Sequence, residues 1–169
     1  MKIKHLILVA LFMQPVLINA QHDDVWANWQ PLIGNWKGEG IGIPGEGTGC
    51  FSFTFDTEQN ILVRKSDYSY YADKAYTIFE DTMIIYIENG TPSKAFFSNH
   101  EGFSRTYSIS YSGKTITLIC ENPSQSLIFK LTYTLIDELT LTLKYEIARG
   151  GENFVTYSEE IGKKELSEN

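Results

Sequence analysis

The chain has 169 residues, of which 43% are hydrophobic, 14% aromatic and 21% charged, with a net charge of −7. These proportions exclude a disordered chain and supply enough apolar mass for one core. Acids outnumber singly scattered lysines, which argues against a nucleic-acid or anionic-membrane partner, because phosphate recognition needs basic side chains gathered on one face.

The first twenty residues read as a signal peptide. Lys2 and Lys4 precede the apolar run Leu6–Met13, and Ile18-Asn19-Ala20 ends in a small residue suited to cleavage. Gln14 and Pro15 interrupt the run, which is too short for a comfortable membrane span. The expectation is export to a periplasmic or secreted location, a mature start at Gln21, and no membrane insertion after cleavage. Removing residues 1–20, with two lysines and no acid, takes the charge from −7 to −9 and leaves 149 residues.

Asp23–Ile33 carries Trp26, Trp29, Leu32 and Ile33 at spacings of three and four, which predicts a short helix capped by Asp23 or Asp24 and covering one mouth of the fold. Ten strand-like segments follow: Gly34–Ile43, Gly49–Phe55, Ile61–Tyr71, Met83–Glu88, Ser93–Ser98, Phe103–Tyr111, Thr115–Cys120, Leu127–Leu135, Leu139–Ile147 and Phe154–Ile161. Residues 72–81 are either a strand or an irregular crossing. Asn89-Gly90 is the strongest hairpin signal, and Gly, Asn, Pro and Asp clusters separate the other segments. Even spacing without a linker predicts an all-β fold: a single antiparallel up-and-down barrel of about ten strands over residues 21–164, followed by a charged tail at 165–169.

Alternation assigns faces. Leu127, Phe129, Leu131, Tyr133 and Leu135 oppose Ile128, Lys130, Thr132 and Thr134, so one face is dry and the other wet. The same parity places Arg105 inward with Phe103, Tyr107, Ile109 and Tyr111, and Arg64 inward with Leu62, Ser66, Tyr68 and Tyr70. A buried guanidinium keeps its proton and needs a carboxylate, carbonyls or a bound anion. Arg105, Arg64, Tyr107, Tyr68 and Trp36 are therefore the candidate ligand-binding residues, and an acidic group is the candidate guest. The alternative is internal pairing, with Glu101, Asp67 or the Trp36 ring as partner. Alternation also puts Cys50 outward and Cys120 inward, which argues against a disulfide.

Catalytic patterns are absent: there is no Gly-x-Ser-x-Gly, phosphate loop, Cys-x-x-Cys or His-Glu-x-x-His. His100-Glu101 in a turn falls short of a metal ligand set, so no metal, no cofactor and no catalytic residue are expected from the residues themselves.

In Pro31-Leu-Ile-Gly-Asn-Trp-Lys-Gly-Glu-Gly-Ile-Gly-Ile-Pro44, Gly34-x-Trp36 opens the first strand. This segment resembles the opening of calycin-type barrels, lipocalin-like and nearest to the nitrobindin-like ten-stranded group. The resemblance implies a cup for a small hydrophobic or amphipathic molecule and, in the nitrobindin-like case, haem held by a histidine on a late strand and chemistry on reactive nitrogen species. This chain has no histidine after His100; Tyr157 or Tyr145 could in principle replace it, and nothing in the sequence favours that. Three readings result: an exported non-enzymatic binding barrel, a haem-binding nitrobindin-like enzyme, and a closed barrel with a filled interior acting as an interaction module.

Overall fold

The computed structural model describes residues 25–42, 45–56, 58–72, 75–121 and 127–166. The signal segment, the Asp23 and Asp24 caps and the end of the tail lie outside them. Ten strands run in chain order: β1 (Gly34–Gly42), β2 (Gly45–Phe55), β3 (Ile61–Ala72), β4 (Ala75–Glu88), β5 (Thr91–Asn99), β6 (Ser104–Ser112), β7 (Thr115–Cys120), β8 (Leu127–Asp137), β9 (Thr140–Arg149) and β10 (Val155–Lys164). Each pairs antiparallel with its chain neighbour, and β10 returns to β1 in the register Trp36 to Lys164, so the barrel has no free edge.

Local chemistry sets the corners. Asn89 and Gly90 both adopt positive φ, +54° and +83°, the pair required by a two-residue turn whose twist matches that of β4 and β5. At the β8–β9 corner the Asp137 carboxylate accepts the Leu139 amide at 2.9 Å.

One open alternative closes and one expectation changes. Ala75–Asp81 takes the strand alternative, as the first half of a fourteen-residue β4 in register with β3. The helix before β1 is not seen: residues 25–29 form turns, and a 3-10 turn spans Gln30–Leu32, with Pro31 at its first positions. Pro31 offers no amide hydrogen to continue an α-helix. The apolar stripe is nonetheless used as a plug. Trp26, Trp29 and Leu32 are buried, Trp26 Nε1 donates to the Gln59 carbonyl, and Trp29 Nε1 donates to Tyr111 Oη at 2.8 Å. Tyr111 in turn donates to the Pro92 carbonyl. Trp29, Phe53 and Tyr133 meet across the axis with ring centroids 5.5 to 6.2 Å apart, filling this end of the barrel.

Candidate functional site

The inner wall holds a polar cluster midway along an otherwise apolar interior. Arg64 and Asp81 are both buried, on adjacent strands β3 and β4, and Arg64 Nη1 lies 2.5 Å from Asp81 Oδ1. Burial pushes the guanidinium down, but the Asp81 charge, with smaller help from Tyr133, Tyr68 and Glu160, outweighs it and raises its pKa. The expected partners of the inward arginines are thereby corrected. Asp67 and Glu101 are exposed, the latter in the turn after β5, and the Trp36 ring faces Lys164 at 5.3 Å. Parity explains Asp67: it alternates with Ser66 and Tyr68, so it stands outside the wall.

Glycines shape the wall beside this pair. One rung of the sheet runs Glu160, Gly40, Gly47, Tyr70 across β10, β1, β2 and β3. The two end Cα atoms are about 14 Å apart at ordinary strand spacing. The bare glycines let both side chains lie flat and meet, and Tyr70 Oη donates to Glu160 Oε1 at 3.1 Å. A Cβ on Gly40 would stand 2.3 Å from Glu160 Cγ, and one on Gly47 would stand 2.5 Å from the Tyr70 ring. On the next rung Tyr68 lies over Gly49 and stacks on Phe51 at 6.3 Å. Burial, then the Glu160 charge, pushes the Tyr68 and Tyr70 phenols up.

Arg105 occupies a different level. It is the second residue of β6, six residues from Tyr111, so it stands about 20 Å from the Trp29 plug, at the opposite mouth. Half-buried on the inner face, its guanidinium carbon sits 3.8 Å from the Phe129 ring centroid and 5.9 Å from that of Phe103. Among the described residues no carboxylate lies within 4.0 Å of it. Tyr107 and Tyr145 share its surroundings, and Arg105 moderates the upward push that burial gives both phenols.

The five candidate residues thus fall into three places. Arg64 and Tyr68 belong to the mid-barrel cluster, Arg105 and Tyr107 to the mouth side, and Trp36 to the plug end, where its Nε1 donates to the Leu32 carbonyl at 2.8 Å. Asp81, Tyr133 and Glu160 complete the cluster and were not singled out by sequence. Of the two hollows, the one of about 870 Å³ beside Glu39, Ile41 and Ile161 lies on the outer wall, whereas the one of about 560 Å³ is lined by Lys65, Asp67 and Glu80 together with Ser66 and Asp81 of the cluster.

Histidine-ligated haem does not fit the described interior, because no histidine faces inward. His100 is exposed in the turn after β5, with its Nδ1 3.2 Å from the Glu80 amide nitrogen. Tyr145 and Tyr157 are half-buried and in edge contact with each other at 5.8 Å.

No protein-family model matches the chain, and no curated protein matches it in sequence. Solved structures do. Rv2717c from M. tuberculosis aligns at a TM-score of 0.61 and 14% identity, covering 85% of this chain and 98% of its own. The S-type phycobiliprotein lyase CPES from Guillardia theta aligns at 0.55 and 10%, covering 85% and 94%. What these alignments share with the chain is its fold, a closed antiparallel β-barrel. At such identities the shared property is the architecture.

Proposed function

We propose that this protein is an exported, non-enzymatic binding barrel for a small amphipathic ligand whose acidic group meets Arg105. The observation that carries the reading is the state of the two inward arginines. Arg64 is matched by a carboxylate 2.5 Å away, whereas Arg105 stands half-buried at the mouth against an aromatic face with no carboxylate partner among the described residues. A desolvated guanidinium of that kind favours a bidentate anion. The gradient along the axis supports the same reading. The plug end is filled by rings, while Arg105, Tyr145 and Ile147 toward the other mouth keep partial exposure. A barrel packed solid for interaction alone would not need that asymmetry. Export rests on Lys2, Lys4, the apolar run and Ala20.

Titration with the anionic aromatic dye 1-anilinonaphthalene-8-sulfonate tests it. The wild type should bind at low salt, and Arg105→Gln should bind about tenfold to a hundredfold more weakly, the worth of one charge-assisted hydrogen bond. Equal affinity in the variant would remove Arg105 from the site. Secretion from a bacterial host should yield a protein whose intact mass corresponds to a start at Gln21.

A further inference from the structure

The mid-barrel cluster contains more polar chemistry than the Arg64–Asp81 pair satisfies. Arg64 Nε, Ser66 Oγ, Tyr68 Oη, Tyr133 Oη and Glu160 Oε2 are buried with no hydrogen-bonding partner among the described residues. Their side chains belong to residues no more than 7% exposed. Buried polar atoms are paired in more than about nine cases in ten, so five in one place mark a position built to receive a polar group.

Charge decides which group. Arg64 is committed to Asp81, and the Glu160 carboxylate has a single hydrogen bond, from Tyr70 to Oε1. Tyr68 is electrostatically coupled to Glu160 without completing a hydrogen bond to it. One acid therefore stands in the interior without a cation of its own, and its free oxygen lies among hydroxyls that can accept from an N–H donor. We propose that Glu160, with Ser66, Tyr68, Tyr70 and Tyr133, forms a deep subsite for an organic ammonium group. This deepens the binding-barrel reading and rests on it: the guest carries its amine inside and any acidic group toward Arg105.

A pH signature accompanies the subsite. Burial raises the Glu160 carboxyl above its ordinary range. The nearby Tyr68 phenol, the Arg64 charge and the Tyr70 hydrogen bond pull it back, and Asp81 adds to the rise. Tyr133 on β8 faces the same group. A bound ammonium requires the ionised carboxylate, so its affinity falls as pH drops through the raised value and binding there releases a proton.

Calorimetric titration of the full-length mature protein with octylamine and with octanol tests the proposal. Octylamine should bind, octanol at least tenfold more weakly, and Glu160→Gln should lose tenfold or more in octylamine affinity. Tyr70→Phe keeps the ring on Gly47 and removes only the hydroxyl, so it should move the pH midpoint of octylamine binding upward. Octanol binding as tightly as octylamine, an unchanged Glu160→Gln, or an unmoved midpoint in Tyr70→Phe would each overturn the ammonium assignment. If octylamine fails while the anionic dye still depends on Arg105, the subsite is wrong and the barrel reading stands. If neither probe binds, both fall.

Discussion

Asp81→Asn removes one charge from the centre of the barrel and leaves its shape nearly intact. Arg64, 3% exposed, then loses the carboxylate 2.5 Å from its Nη1 while its Nε already has no partner in the protein. A guanidinium cannot drop its proton, so the charge stays buried, and the expected loss is about 3–5 kcal/mol. For a chain of this length that corresponds to a fall in Tm of roughly 6–20 °C. Urea unfolding followed by tryptophan fluorescence reports it, because Trp29 and Trp36 are both fully buried. The cause is isolated by Arg64→Met combined with Asp81→Leu. Removing both charges should restore wild-type stability or exceed it by about 1–4 kcal/mol, since the desolvation of two ions disappears along with their attraction. A loss below about 1 kcal/mol in the single variant would mean that water reaches Arg64. A double variant worse than the single would show that packing, and not charge, holds this level of the barrel.

Gly49→Ala should cost 3 kcal/mol or more, above the usual range of roughly 1–3 for overpacking, because its Cβ would stand 2.2 Å from the Asp67 carbonyl oxygen, a backbone atom that cannot swing aside; thermal melting measures it, and a change under about 1 kcal/mol would contradict the packing described. Glu160 takes up its proton more readily folded than unfolded, so the wild type should lose stability as pH rises from the ordinary carboxylate range through the raised value, and Glu160→Gln should flatten that slope of Tm against pH; parallel curves would contradict the raised carboxyl. Cys50 is exposed and Cys120 buried, both as free thiols, so a thiol reagent should modify one equivalent in the native protein and the second only on unfolding.

The architecture was legible because period-two alternation and turn chemistry agree along most of the chain. β8 and β9 show it best: Phe129, Leu131, Tyr133, Leu141 and Leu143 are all buried, as their parity requires. Parity also places both arginines inside, and it separates Cys50 from Cys120. The site was legible only in part. Asp81 lies in the stretch 72–81 whose turn signals and aromatic residues do not choose between strand and crossing, so the counter-ion of Arg64 was hidden. Glu160 was hidden by an inverted pattern. In β10 the apolar Ile161 faces outward at 53% exposure, while Ser158, Glu160 and Gly162 face the interior. A reader who points apolar residues inward would place Glu160 in solvent. The informative signal was the glycine spacing at 38 and 40 and again at 47 and 49, since a bare wall must be covered by side chains reaching from its neighbours, and those prove to be Tyr68, Tyr70 and Glu160.

That bare wall also accounts for the depth at which the polar groups sit. Trp29, Phe53 and Tyr133 close the plug end, so any guest must stop above them. Ordinary inward side chains on β1 and β2 would fill the middle level as well. Glycine at 38, 40, 47 and 49 leaves room there for a carboxylate and two phenols from strands that do not touch each other in the sheet. Such an arrangement costs stability twice, through strands with few side chains to pack and through buried polar atoms without partners. A barrel serving only as a rigid module would gain by exchanging Glu160, Ser66 and the Arg64–Asp81 pair for apolar residues of like volume. Retaining them is intelligible when the free energy withheld from folding is returned on binding, which is the energetic form of a prepared site.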